Sequence, residues 1–457
     1  MGTLLVKNIH TLVTMDDNRR EIRNGALFVR DNVIEAVGTS DDLSTATAPA
    51  AADDVLDLQG RHVVLPGLIN THHHFFQTLT RAIPAAQNSD LFGWLQNLYP
   101  LWQNLTAEHI YFSTQMAAAE LILSGCTTAS DHLYLFPNDC TLDDEIRAAK
   151  DIGIRFHASR GSMSVGQSDG GLPPDTLIEK EPDILRDSLR LIEDYHECDR
   201  HAMTRIVLAP CSPFTVSQDL MKKSATMARA HPAVRLHTHL AENKSDVDYS
   251  LEKFGLRPGD YAESVGWLGE DVWHAHCVQL NDSAIDKFAR TGTSVAHCPC
   301  SNMRLASGMA PIRKMLDKGV AVGIGVDGAA SNDASNLLQE TRSAFLMARL
   351  REIDAAAMSA REALELATRG GATVLGRDDI GYLAPGMSAD FIAFNIDTPA
   401  LVGAHHDVVA ALIFCQPPAV DYSFINGKKV VAQGQLTTVS IDRLVETCNR
   451  LSLALVE

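Results

Sequence analysis

Eight short apolar runs, strung along the middle of the chain and separated by stretches with helical spacing, restrict the fold more than any other feature. The runs fall at residues 67–71, 127–131, 154–158, 205–209, 234–239, 272–276, 294–297 and 320–326. Between them, segments such as 107–123, 183–195, 217–230 and 335–350 repeat apolar residues with a helical period. Strand–helix alternation on this scale predicts a parallel sheet with helical crossovers, and eight strands can close it into a (β/α)8 TIM barrel, an α/β fold. The doubly wound alternative is weaker, because no GxGxxG follows an early strand.

The two ends have a different texture. Residues 3–65 read as short alternating strands broken by turn signals such as Asp31-Asn32, and strand-like runs return at 389–395 and 421–431. A chain of 457 residues is long for one domain, so the two ends are expected to pair as a small side domain. The division expected is 1–65 and 378–457 for that domain and 66–377 for the barrel. The Gly-rich loop at 160–182 is expected as a lid or pocket wall. A terminal helix at 441–455 is expected to pack on the barrel or a neighbour and is given no chemistry.

Composition excludes several functions. The formal net charge of -18 argues against a nucleic-acid partner, which needs clustered Lys and Arg. A small neutral or cationic substrate suits it better. No run approaches the roughly 20 apolar residues of a membrane span, and the first residues lack the apolar core of a signal peptide. The nine cysteines follow no framework spacing, so free thiols in a reducing cytoplasm are expected. Cys298 and Cys300 sit one residue apart, but no second thiol pair accompanies them as a metal site would require.

Polar residues of one kind collect where the apolar runs end, the face on which barrels carry their sites. His72-His73-His74 follows the first run, and on an extended segment His72 and His74 share a side. His239 and Glu242 close the fifth run; His274 and His276 lie in the sixth, and His297 ends the seventh. Asp327 follows a continuous apolar run, where an unpaired buried carboxylate would be costly. Each has an ordinary alternative: surface histidines, a satisfied core histidine, a helix-capping Glu, an Asp-Gly turn. Together they offer imidazoles and carboxylates suited to a divalent metal, with an acid or base to spare. The fourth strand end, residues 208–213, has no lysine to bridge a second ion, so one metal is expected.

PGLINTHHH, HTHLAE, HAHCV and GVDGAASND, in that order, resemble the strand-end motifs of the amidohydrolase superfamily, and the likeness covers nearly the whole chain. Within it the chain is similar to the deaminase and chlorohydrolase branch, which implies a distorted barrel with a composite β-sandwich. The resemblance implies His72, His74, His239 and Asp327 as ligands of one divalent ion, zinc or ferrous iron, with zinc favoured by redox-neutral hydrolysis. It makes Glu242, His276 and Asp327 the residues that move protons and orient water.

A finer likeness runs through THHHFFQTLTRA, RGSMSVGQSDGGLPPD, APCSPFTVS and HCPCSNMRLASGMAPI, which resemble the bacterial 8-oxoguanine deaminases. It implies hydrolytic deamination of an amino-oxopurine, with Gln77, Arg160, Ser162, Cys211 and His297 towards the substrate. Isocytosine deaminases, guanine deaminases and hydroxytriazine aminohydrolases share such a site and stay open as alternatives. A non-catalytic scaffold would be expected to have lost the ligands. A homo-oligomer is expected from the fold.

Overall fold

The computed structural model describes residues 2–45 and 52–456. The chain opens with β1 (Thr3–Val13), β2 (Glu21–Arg30), β3 (Val33–Thr39), β4 (Asp54–Asp57) and β5 (His62–Pro66). The barrel follows as β6 (Leu68–Asn70), β7 (Cys126–Leu133), β8 (Arg155–Ser162), β9 (Thr204–Pro210), β10 (Arg235–Leu240), β11 (Val272–His276), β12 (Ser294–His297) and β13 (Val322–Ile324). After it come β14 (Phe391–Asn395), β15 (Tyr422–Ile425), β16 (Lys428–Ala432) and β17 (Gln435–Leu436).

β6 to β13 pair in parallel and close, β13 returning to β6. Apart from the first residues of β9 and β10, every residue of these strands is buried, the burial expected of a parallel sheet covered on both faces. This is the (β/α)8 barrel foreseen from the eight apolar runs. At its base Ile69, Val207, Trp273 and Ala296 pack against Val374, Leu375 and Ile380, which plug the interior from below.

The termini build the side domain jointly. Nine strands form one sheet in the order β17-β16-β15-β14-β5-β1-β2-β3, with β4 on β1. The two ends of the chain meet where β5 pairs antiparallel with β14, His62 opposite Asn395 and Pro66 opposite Phe391. Val6, Ile9, Leu27, Val64, Phe391 and Phe424 form a core of its own. Only Gly67 separates this sheet from the barrel, and a Cβ there would sit 1.9 Å from Thr127 Oγ1.

One internal ion pair ties the barrel base to the segment that returns to the sheet, and a second within that segment holds the base through the Ala202 carbonyl and the His201 N–H. Arg155 on β8 donates through Nε and Nη2 to Asp390, both at 3.0 Å. Arg377 donates through Nε and Nη2 to Asp379 at 2.8 and 2.7 Å. The terminal helix Ile441–Val456 packs its buried Leu444, Cys448 and Leu451 on the barrel's outer layer. No helix among the described residues is long and apolar enough to cross a membrane.

Candidate active site

The strand ends bring the polar residues of β6, β10, β11 and β13 to one point. Beyond β6 the backbone stays extended through Thr71, whose N–H donates to the Ile324 carbonyl, while Asp327 N–H donates to the His72 carbonyl at 3.1 Å. This seam sets His72 and Asp327 side by side. His72 Nε2 and His74 Nε2 lie 3.4 and 3.3 Å from Asp327 Oδ1. His74 Nε2 and His239 Nε2 are 3.1 Å apart. All four residues are buried. Ala241, His276 and Asp327 adopt left-handed φ values of 53, 69 and 64°, a conformation costly for residues with a Cβ and concentrated at functional sites.

The hydrogen bonds assign the protons of the histidine rings. His74 Nδ1 faces the His132 carbonyl at 2.7 Å and His239 Nδ1 faces the Cys211 carbonyl at 2.6 Å. A carbonyl only accepts, so each Nδ1 carries the hydrogen and each Nε2 is a bare lone pair. Two bare nitrogens at 3.1 Å repel, and no hydrogen bond joins them. Burial holds His72 well below its ordinary pKa, lowers His74, and pushes His239 down to about 3, so protonation does not relieve the contact. A cation between these atoms resolves all of this. Zinc bonds of ~2.0–2.1 Å imply tetrahedral edges of roughly 3.3 Å, and the His74–His239, His72–Asp327 and His74–Asp327 separations are 3.1, 3.4 and 3.3 Å. His72, His74, His132 and His239 form one cluster spaced to share a cation, and His72, His276 and Asp327 another, so the donors collected here suit a divalent ion.

Glu242 and His276 stand beside this centre. His276 Nδ1 donates to Asn302 Oδ1 at 3.0 Å, which leaves Nε2 bare, 3.5 Å from Glu242 Oε2 and 3.9 Å from Asp327 Oδ2. Glu242 is held from behind, its N–H donating to Asp246 Oδ2 at 3.0 Å. Burial pushes the Glu242 carboxyl up to about 7; His276 opposes that, and the charges of Asp327 and Asp246 add to it. Such a group can both give and take a proton near neutral pH. Ser331 Oγ donates to Asp327 Oδ2 at 3.2 Å and steadies the carboxylate.

A small cavity opens onto these residues. Gln77 and Cys211, both expected there, line it. Gln77 Nε2 reaches the Tyr134 hydroxyl at 3.4 Å, and its buried Oε1 has no donor. Three other expectations are corrected. Arg160 turns outward into ion pairs with Glu179 and Asp187 and lies over the Phe136 ring, so it lines a separate surface cleft. Ser162 and His297 are buried at the ends of β8 and β12 and do not line the cavity. Nor does the 160–182 loop supply its wall. That wall comes from the helix Leu91–Trp102, through Leu91, Trp94, Leu95 and Tyr99, with Tyr134, Phe214 and Leu305 opposite. The helix had a signal in the sequence: Asp90, whose side chain accepts from Gly93 N–H, ahead of a cluster of aromatic residues.

Fold and site together define a barrel hydrolase whose imidazole–carboxylate centre sits at the C-terminal ends of the strands. The amidohydrolase family matches residues 63–430, and the chain belongs to that family. It is 45% identical over 435 residues to an 8-oxoguanine deaminase of Pseudomonas aeruginosa, covering 94% of this chain and 95% of the relative. It is 37% identical to a hydroxydechloroatrazine ethylaminohydrolase of a Pseudomonas species, covering 95 and 92%. Among solved structures, an atrazine chlorohydrolase of Arthrobacter aurescens complexed with zinc superposes with a TM-score of 0.93 at 33% identity, covering 98% of this chain and 100% of the other. The chain is a hydrolase of carbon–nitrogen bonds and, by reaction class, a hydrolytic deaminase.

Proposed function

We propose that the chain deaminates an amino-oxopurine by hydrolysis, 8-oxoguanine giving urate and ammonia, with zinc as its ion. The observation that carries this reading is the unpartnered amide oxygen of Gln77, set in an aromatic-walled cavity that also opens on Glu242. Such walls suit a flat bicyclic ring, and a buried acceptor without a donor suits a ring N–H. The 45% identity with the Pseudomonas aeruginosa deaminase across nearly the whole chain supports the same ring.

His72, His74, His239 and Asp327 would hold the ion. When bound, it supplies Lewis acidity, which makes water a competent nucleophile near neutral pH. Asp327 takes one proton from the attacking water, and His276 Nε2 orients its oxygen. Glu242 gives a proton to the ring nitrogen beside the amino-bearing carbon, which makes that carbon electrophilic. A C–O bond forms at this carbon. The adduct then loses its C–N bond once the amino group has received the proton held by Asp327. Water's second hydrogen restores Glu242, so the ring keeps one hydrogen and ammonia carries off the other.

Zinc-loaded protein incubated with 8-oxoguanine, guanine, isocytosine and a hydroxytriazine tests this through product release, followed as ammonia or, for the triazine, ethylamine. The highest kcat/KM is expected on 8-oxoguanine. Preference for another ring would overturn the substrate and leave the reaction class standing.

A further inference from the structure

The three imidazoles of the centre are not held alike. His74 and His239 hang from backbone carbonyls, which no substitution removes. His72 Nδ1 instead lies 2.8 Å from the Nε2 of a second imidazole, His237. His237 Nδ1 in turn lies 3.1 Å from the Trp273 carbonyl. That carbonyl can only accept, so His237 carries its hydrogen on Nδ1 and its Nε2 is a lone pair. The lone pair accepts from His72 Nδ1–H. His72 Nε2 is therefore left bare, buried and without a partner, towards Asp327. One backbone carbonyl on β11 thus decides, through His237, which nitrogen of His72 faces the centre.

Trp273 fixes the geometry as well as the proton. Its indole stacks on the His237 ring, with centroids 4.6 Å apart and planes at 18°. Its Nε1–H donates to the carbonyl of Thr71, the residue before His72, at 3.1 Å. His237 and Trp273 are both fully buried. The pair grips the ligand from its ring and from its backbone.

We infer that His237, backed by Trp273, is a positioning residue that sets the tautomer and ring plane of His72 and with them the centre's affinity for its ion. This rests on the reading of His72 as a ligand. A histidine that only filled space could be replaced by another ring without consequence for the metal. Partners behind metal-bound histidines tune affinity by about 10–100-fold.

The test uses the full chain and measures zinc affinity by competition with a chelator, alongside the visible spectrum of the cobalt-substituted protein and the melting of the metal-free form. His237→Phe keeps a stacked ring but offers no acceptor. It is expected to weaken zinc by about 10–100-fold and to shift the cobalt bands, while the metal-free protein melts near the wild type. His237→Gln returns an acceptor to His72 Nδ1 and is expected to recover part of the affinity. Wild-type affinity and an unchanged cobalt spectrum in His237→Phe would overturn the proposal, as would a Gln variant no better than Phe. His237→Leu takes the place of Phe if the larger ring prevents folding. His72→Ala separates the two readings: zinc retained there would overturn His72 as a ligand, whereas zinc lost there but kept in His237→Phe would overturn the inference alone.

Discussion

Glu242 Oε2 and His276 Nε2 face each other across 3.5 Å at the ends of adjoining barrel strands, and both are buried. Each is anchored on its far side, Glu242 by its own N–H on Asp246 and His276 by its Nδ1–H on Asn302. The arrangement divides labour between the two. The imidazole has its Nδ1–H committed to Asn302, while the carboxyl, lifted to about 7 chiefly by burial, can give and take a proton.

Glu242→Gln keeps the shape of the side chain and removes its exchangeable proton. The variant is expected to lose about 10²–10⁴ in kcat, the usual contribution of a positioned acid–base group. Glu242 is not among the side chains close enough to one another to share an ion, so zinc content is expected to match the wild type. Steady-state rates with metal analysis of the same sample check both halves.

Metal binding is expected to stabilise the fold as well as activate it. Without an ion, the bare Nε2 atoms of His74 and His239 confront each other at 3.1 Å, with the Asp327 carboxyl 3.3 Å from His74 Nε2. Chelator-treated protein should melt lower and regain its melting point with zinc, by about 2.7 kcal/mol when free zinc is a hundred times the Kd. Asp327→Ala should reduce both zinc content and this shift. Calorimetry with and without zinc checks it, and identical traces would count against the ligand set.

The centre was legible in the sequence because strand geometry is strict. Alternate residues share a face, so His-x-His after an apolar run puts two imidazoles at one strand end, and Asp327 stood out as a charge ending a buried run. The same parity places His237 with His239, yet nothing in the sequence tells a ligand from the residue that orients one. The pocket wall was harder to read. The helix Leu91–Trp102 buries Leu91, Trp94, Leu95, Leu98, Tyr99 and Trp102 at helical spacing, but Gly93 and Pro100 inside it are poor helix formers and the apolar Phe92 and Leu101 off that face blur the stripe. Arg160 was misplaced for another reason. Its partners Glu179 and Asp187 lie 19 and 27 residues further on, and only the fold shows that they draw it outward.

Gly328 is expected to govern substrate affinity through Gln77. A Cβ at Gly328 would fall 1.9 Å from Gln77 Oε1 and 2.3 Å from its Cδ, so the amide must swing away. Its bond to the Tyr134 hydroxyl would go with it. Gly328→Ala should raise KM by about tenfold, the scale of one lost hydrogen bond, and leave zinc content unchanged. Combined with Gln77→Ala it should add little, because both changes remove the same interaction. A double-mutant cycle on KM measures this; full additivity would mean that the glycine acts elsewhere.

Beneath the barrel, Asp379 is expected to control acid stability. Its Oδ1 accepts from Arg377 Nε at 2.8 Å, and its Oδ2 accepts from Arg377 Nη2 and from His201 N–H, both at 2.7 Å. Burial alone would raise this carboxyl, but the Arg377 hydrogen bonds and the charges of Arg377 and Arg155 hold it well below the usual range. A folded-state pKa below the unfolded one gives stability that is fully present above the unfolded value of about 3.9 and is lost as pH falls towards the folded one. Asp379→Asn strands the buried Arg377 charge and should cost about 3–5 kcal/mol at neutral pH. Below about pH 4 the wild type gives up its advantage, and the gap should close by about 1.4 kcal/mol per pH unit. Urea unfolding of both proteins at neutral pH and at two acidic points measures the gap. A gap that held steady or widened on acidification would show that the carboxylate's charge does not hold the barrel base together.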